Sequence, residues 1–228
     1  MSASMHQIRE EFDRIALLTE RHRGGAGDVY HDYLMRHLPA RPEKVLEIGC
    51  GSGAFTRLLA SRAGSVTALD LSPQMIRLAE AQSGGCENIE YLLGDCMQLP
   101  FPAEGYDCIV SIATLHHLPP TRALPKMKGA LKPGGVLVIH DLIADAGVVD
   151  RCMSALAYPV SMLRLFRETG RARMPREVRE AWAEHGRNES YLTLAGVREM
   201  CRTYLPAAEV KRHLLWRYTV VWRKPAAA

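Results

Sequence analysis

Residues Val45–Thr56 read VLEIGCGSGAFT. Three apolar residues and one acid run into a chain of glycines, and a helix-forming stretch follows. Strand, glycine turn and helix is a unit with which many folds hold a nucleotide, because glycine lets the backbone turn tightly and approach a ligand closely. The spelling has two readings. Gly49, Gly51 and Ala54 satisfy the dinucleotide pattern G-x-G-x-x-G/A. Gly49, Gly51 and Gly53 satisfy a different loop, G-x-G-x-G. The rest of the chain has to decide between them.

Working outward, strands and helices alternate. Candidate strands cover 45–49, 65–69, 89–93, 107–112 and 135–140, and candidate helices cover 54–62, 73–82 and 121–131. Ser72 before Pro73 is a helix start, since serine caps and proline suits the first turn. KPGG at 132–135 is a turn ahead of the fifth strand. Alternation at this pitch argues an α/β fold, a parallel sheet with helices on both faces. Ahead of it, Ile8, Phe12, Ile15 and Leu18 recur at helical spacing over 5–22. Gly24, Gly25 and Gly27 break that helix, and a second short one over about 28–38 stops at Pro39. Residues 145–190 have no strand signal: CMSALAYPVSMLRLF is apolar and broken at Pro159, and a charged stretch follows. Thr193 starts a helix to about Tyr204, and AEVKRHLLWRYTVVWRK supplies two β-rich runs, an antiparallel pair within 208–223. The expected layout is one domain: cap helices over 1–40, a core over 41–144, a helical lid insertion over 145–190, and a closing helix and strand pair over 191–228.

A chain of 228 residues is long enough for one domain with a sizeable core. Its 47% apolar content is that of a soluble globular protein. No apolar run approaches the roughly 18 residues that span a bilayer. The opening MSASMHQIREEFDRI carries charges where an export signal needs an apolar centre. None of the six cysteines forms a C-x-x-C pair, and no His/Cys group has zinc spacing, so the expectation is reduced thiols in a cytoplasmic protein without a metal centre. The net charge of +4 is uneven: residues 145–228 hold 15 Lys and Arg against 9 Asp and Glu. Arginines alternate with glutamates there, which reads as a solvated face before it reads as a nucleic-acid surface.

Glu47 discriminates between the two glycine-loop readings. It lies two residues before Gly49, on the strand under the turn. A dinucleotide brings a diphosphate to this loop, and a carboxylate about 6 Å away opposes it by roughly 3 kcal/mol at an effective dielectric near 20. S-adenosylmethionine brings an α-ammonium and a sulfonium and no phosphate, so an acid there helps. The loop also lacks Lys or Arg until Arg57. Asp70, about twenty residues on, suits a ribose diol in either class. Asp95, in YLLGDCMQLPF just past the third strand, is placed to accept from an adenine amino group.

Together the stretches VLEIGCGSGAFT, ALDLSPQMI, GDCMQLPF, YDCIVSIATLHHLP and LKPGGVLVIHDL, spanning 45–142, resemble the class I S-adenosylmethionine-dependent methyltransferases, close to the broad group with the ubiquinone and menaquinone pathway enzymes. EFDRIA near the N-terminus is similar to that group's opening helix. The resemblance implies a Rossmann-like seven-stranded sheet whose last strand is antiparallel, and S-adenosyl-L-methionine as cofactor. It implies that Glu47, Gly49, Gly51 and Gly53 hold the methionine moiety, with Cys50 in the same loop. Asp70 takes the ribose hydroxyls, Leu71 and Met75 lie beside the adenine, and Asp95 and Cys96 meet its edge. Ser111 lines the methionine end, and Phe12 either covers the cofactor or makes a core contact.

Methyl transfer from a sulfonium is an in-line displacement, in which holding the reactants together supplies most of the catalysis. A base is an optional addition, and His116 or His117, just past the fourth strand, is placed for it; a structural pair is the alternative. His140 and Asp141 end the fifth strand at the same edge, and His185 and Tyr191 belong to the insertion. Met153, Leu156, Tyr158, Met162, Leu163 and Phe166 either line an acceptor pocket, pack on the domain or form a homodimer face. The expected activity is methyl transfer to a small molecule. A tRNA acceptor comes second, since SIATLHHL is also similar to wobble-uridine methyltransferases while the basic, aromatic path of an RNA enzyme is missing. A non-catalytic cofactor-binding protein is third.

Overall fold

The central strands of the sheet are covered on both faces, and their sequences show it. In the computed structural model, which describes residues 5–22 and 29–226, β1 (Lys44–Ile48) is buried along four of its five residues. The other strands are β2 (Ser65–Asp70), β3 (Ile89–Leu93), β4 (Tyr106–Ile112), β5 (Leu131–Leu142), β6 (Glu209–Arg212) and β7 (Arg217–Arg223). They form one seven-stranded sheet in the order β3-β2-β1-β4-β5-β7-β6. The pairs from β3 to β5 are parallel, and β7 runs antiparallel to both β5 and β6. This is the α/β sheet with an antiparallel last strand that the sequence led to expect.

Alternate residues of each strand feed opposite layers. Leu46, Ile48, Ile109, Leu137 and Ile139 pack on one side with α5 (Pro120–Ala130) and α8 (Leu194–Tyr204). Val45, Val66, Val110 and Val138 pack on the other with α2 (His31–Met35) and α3 (Ala54–Ala60). A third apolar cluster joins α1 (Met5–His22), α4 (Pro73–Gln82) and α7 (Arg176–Asn188) through Ile15, Ala16, Leu18, Met75, Val178 and Ala181. That cluster holds α1 and α7 together over one edge of the sheet.

Local signals explain several boundaries. α4 begins where expected: the Ser72 hydroxyl accepts from the Met75 N–H at 3.0 Å, and Pro73 occupies the first turn. Thr193 caps α8 by accepting from Gly196 N–H. Two expectations fail. Pro159 does not break the insertion, since α6 (Val148–Thr169) runs through it. Proline removes one backbone donor there, and the 22-residue helix carries on to a C-cap at Gly170, a residue free to turn left-handed. The second cap helix is shorter than 28–38, since Arg36 closes α2. The expected helix breakers Gly24, Gly25 and Gly27, with residue 28, lie outside the described residues.

Candidate active site

Strand order reverses between β1 and β4, and a crevice at such a switch point is where open α/β sheets bind ligands. Here it is a cavity of about 330 Å³. The loops after β1, β2, β3 and β4 form its floor, and Met5, Ile8 and Phe12 of α1, His31 of α2 and Trp182 of α7 close over it.

The glycine loop is built for close approach. Gly49 has φ +79°, and a Cβ there would overlap the Thr114 side chain, which closes the loop from the end of β4. Gly51 has φ +51° and nothing within 4 Å of where its Cβ would stand, so its open side faces the cavity it lines. Gly53 is the N-cap residue of α3 and lies outside the cavity wall. A Cβ on it would come within 2.5 Å of the Tyr91 hydroxyl, so this glycine serves helix-to-strand packing.

Three carboxylates reach the cavity: Glu47, Asp70 and Asp95. Glu47 is buried and accepts a 2.5 Å hydrogen bond from the Thr56 hydroxyl. Burial pushes its carboxyl up to about 8, the Thr56 bond opposes that, and the neighbouring Asp70 adds to it. Asp70 accepts from Gly51 N–H and from Ser72 N–H, each at 2.9 Å, so it sets the loop's shape. Burial raises its carboxyl too. A carboxylate has about four acceptor positions, which leaves capacity for a diol. Asp95 accepts from Met97 N–H at 2.8 Å and from the Gln98 amide at 3.1 Å, so its local turn role and its place in the wall coexist. Among the described residues no Lys or Arg lines the cavity. That wall suits a cationic, phosphate-free ligand such as S-adenosylmethionine and opposes a diphosphate.

Cys50, Leu71, Met75, Cys96 and Phe12 also line the cavity. Ser111 does not: it is buried, its hydroxyl has no hydrogen-bond partner among the described residues, and Ile112, Ala113 and Thr114 stand at the wall instead. His117 reaches the cavity and His116 does not. His116 is tied to Asp141, which accepts from its backbone N–H at 2.9 Å and lies 2.7 Å from its Nδ1. Burial, with His116 and His185 beside it, pushes His117 down to about 3. A base that weak is poorly matched to taking a proton at neutral pH. His140 lies inside the core, where it pairs with Thr219 at 2.9 Å. None of the six apolar residues singled out on α6 lines the cavity, and Leu156, Tyr158, Leu163 and Phe166 are exposed. The wall residues His31 and Trp182 carry no motif in the sequence, and Thr114 lies within YDCIVSIATLHHLP without being singled out there.

The comparisons agree with this geometry. A family model described as "Methyltransferase domain" matches residues 46–139. The uncharacterized methyltransferase Rv0089 of Mycobacterium tuberculosis is 30% identical over 203 residues, covering 87% of this chain and 96% of the relative. A demethylmenaquinone methyltransferase of Staphylococcus aureus is 30% identical over 162 residues, 68% of this chain and 65% of the relative. Among solved structures, phosphoethanolamine N-methyltransferase 2 of Haemonchus contortus in complex with S-adenosyl-L-methionine superposes with a TM-score of 0.69 at 16% identity, covering 98% of this chain and 60% of that one. The fold and cavity are those of a class I S-adenosylmethionine-dependent methyltransferase. The chain belongs to that family, and S-adenosylmethionine is its cofactor.

Proposed function

We propose that this enzyme transfers the methyl group of S-adenosylmethionine to a small-molecule acceptor at the cavity between β1 and β4. The observation that carries the reading is the cavity wall: among the described residues, a roofed, largely apolar space with three carboxylates and no Lys or Arg. Glu47 and the Gly49–Gly51 turn hold the methionine end, Asp70 the ribose, and Leu71, Met75, Asp95 and Cys96 the adenine. The cofactor supplies a methyl group on a sulfonium, already a good leaving group. The chain's part is to bind, orient and exclude water. Phe12 and Trp182 pack edge to face, ring centroids 6.5 Å apart, and close the roof. Catalysis then rests on proximity. The insertion acts as the lid through α7, whose Trp182 faces the cavity. The Staphylococcus and Haemonchus proteins, named for demethylmenaquinone and phosphoethanolamine, support a small acceptor.

An RNA acceptor fits less well. Arginines on and around the insertion pair with acids: Arg164 with Glu168, Arg176 with Glu180, Arg14 with Glu184 and Arg21 with Glu177. The cysteines are free thiols, which fits a reducing compartment, and a cytoplasmic site of action is part of the proposal. Among the described residues no helix is long and apolar enough to cross a membrane. The exposed apolar face of α6 fits a homodimer; sedimentation equilibrium showing only monomer at micromolar concentration would exclude it.

The test of the acceptor is transfer of labelled methyl to a whole-cell extract. Label in the organic-extractable fraction is expected, and it yields a compound to identify by mass spectrometry. Label released by RNase overturns the small-molecule reading.

A further inference from the structure

Beside the cavity, three histidines and two glutamates from separate segments meet. Within 4.8 Å of one another lie single ring nitrogens of His116, His117 and His185, and likewise one ligating atom each of Glu11, His185 and Glu189. His116 and His117 end the short 3-10 turn after β4, His185 sits on α7, Glu11 sits on α1, and Glu189 follows α7. The cluster is enclosed: the His116, His117, His185 and Glu189 side chains are 6%, 5%, 4% and 6% exposed.

Two carboxylates stand behind the histidines. Asp141 Oδ1 is 2.7 Å from Nδ1 of His116, and Glu11 Oε2 is 2.6 Å from Nδ1 of His185. A histidine that donates Nδ1–H to a carboxylate turns an Nε2 lone pair forward, the usual support behind a metal-binding imidazole. Among the described residues, Nε2 of His116 is buried and has no hydrogen-bond partner. The same holds for both ring nitrogens of His117 and for Oε1 of Glu189. Nδ1 of His117 lies 3.2 Å from Oε2 of Glu189 without hydrogen-bond geometry. Buried polar atoms are normally paired. The two triads share His185, and Glu189 Oε2 lies 3.2 Å from His117 Nδ1, so one cation among them would satisfy these lone pairs together.

We propose that His116, His117, His185 and Glu189 bind a divalent transition-metal ion, with Asp141 and Glu11 orienting two of the imidazoles. Three imidazoles and a carboxylate suit Zn²⁺, Fe²⁺ or Co²⁺, whereas Mg²⁺ and Ca²⁺ take oxygen ligands. Bonds near 2.1 Å put tetrahedral ligand atoms roughly 3.4 Å apart, so side-chain shifts of about 1 Å close the site. The ion ties α7 to the end of β4 and, through Glu11, engages α1. It therefore latches the roof of the cofactor cavity. The sequence carries no zinc spacing because the ligands come from separate segments. The inference stands on the cluster alone and does not depend on the acceptor.

The test uses chelator-treated full-length chain carrying Cys152→Ser, which removes the exposed thiol. It is titrated with Co²⁺, Zn²⁺ and Mg²⁺. One Co²⁺ per chain is expected, with visible d–d absorption, no thiolate charge-transfer band, and displacement by Zn²⁺. Zn²⁺ at a hundredfold excess over its Kd should raise Tm by about 5–10 °C. Glu189→Gln and His185→Gln should each weaken Co²⁺ binding at least about tenfold. Glu189→Gln is nearly isosteric, and a circular-dichroism spectrum like that of the parent establishes its fold. No uptake of Co²⁺ or Zn²⁺ at millimolar ion, binding unchanged in both variants, or equal stabilisation by Mg²⁺ overturns the proposal. None of these readouts uses methyl transfer.

Discussion

Replacing Glu47 by Gln tests the electrostatics of the cavity. Burial pushes this carboxyl up to about 8 from an ordinary 4.5. At pH 7 the empty cavity therefore holds Glu47 mostly as the neutral acid. A bound cation favours the carboxylate, so cofactor binding at pH 7 should release about half to most of one proton. Ionising the acid at pH 7 costs about 1.4 kcal/mol. The charge-assisted hydrogen bond it then makes contributes about 1.5–3 kcal/mol. The difference is at most about 1.6 kcal/mol, so Glu47→Gln should weaken S-adenosylmethionine binding by up to roughly tenfold at pH 7. At pH 6 the ionisation cost doubles to about 2.7 kcal/mol, and the variant should bind nearly as well as the parent. Between pH 6 and 7.5 the parent's affinity should climb with pH while the variant's stays nearly flat. Titration calorimetry in buffers of different ionisation enthalpy measures both quantities. Parallel pH profiles for the two proteins, with no proton released by the parent, would refute the reasoning. Stability of the empty protein moves the other way. The folded carboxyl titrates above its unfolded value, so stability is highest below about pH 4.5 on this account and falls as pH rises toward 8. The ceiling is about 5 kcal/mol, and Glu47→Gln should remove that slope from urea unfolding curves.

Three further substitutions test local backbone geometry, two beside the cavity and one in α6. Gly49→Ala places a Cβ against Thr114 at φ +79°, and should cost about 1–3 kcal/mol in urea unfolding; a midpoint unchanged from the parent would count against the tight turn. Asp70→Asn trades a carboxylate for one amide acceptor, so one of the bonds from Gly51 N–H and Ser72 N–H is lost or bent. Cofactor affinity should fall about ten- to a hundredfold in titration calorimetry, and equal affinity would remove Asp70 from the site. Pro159→Ala should stabilise α6, restoring one backbone donor in a helix interior where proline is disfavoured by about 3 kcal/mol; no gain in Tm or helicity would mean that the helix is broken there after all.

The parts legible in the sequence are those fixed by neighbours along the chain. α4 starts and stops where its capping serine, its proline and its apolar spacing put it. The parallel core of the sheet follows from strands alternating with helices, and Glu47 points to the cofactor because an acid beside the glycine loop suits a cation better than a diphosphate. The failures have tertiary causes. Pro159 breaks a helix by local preference, yet α6 continues through it. Asp141 ends a strand at the ligand edge, yet its carboxylate is spent on His116. Gly53 and Ser111 hold their motif positions, but the wall passes through Ala54 and Thr114 instead. The α6 side chains are apolar in composition, and composition says nothing about the direction in which a helix face points.

The roof shows most clearly what spacing alone could not reveal. Trp182 and His185 are three residues apart on α7, one helical turn, and so share a face. Phe12 of α1 meets that face, its ring 6.5 Å from Trp182 and 4.9 Å from His185. Its other neighbour, His117, stands 5.6 Å away at the end of β4. One aromatic side chain therefore lines the cofactor cavity and packs on the buried histidine cluster, whose His117 also reaches the cavity. In the sequence Phe12 was open to two readings, cover for the cofactor or core contact, and the geometry joins them: the same ring packs the lid and walls the cavity. A change that loosens α7 from α1 should therefore reach cofactor binding and the histidine cluster together, because Phe12 meets His117, His185 and Trp182, and His185 in turn meets both His117 and Trp182.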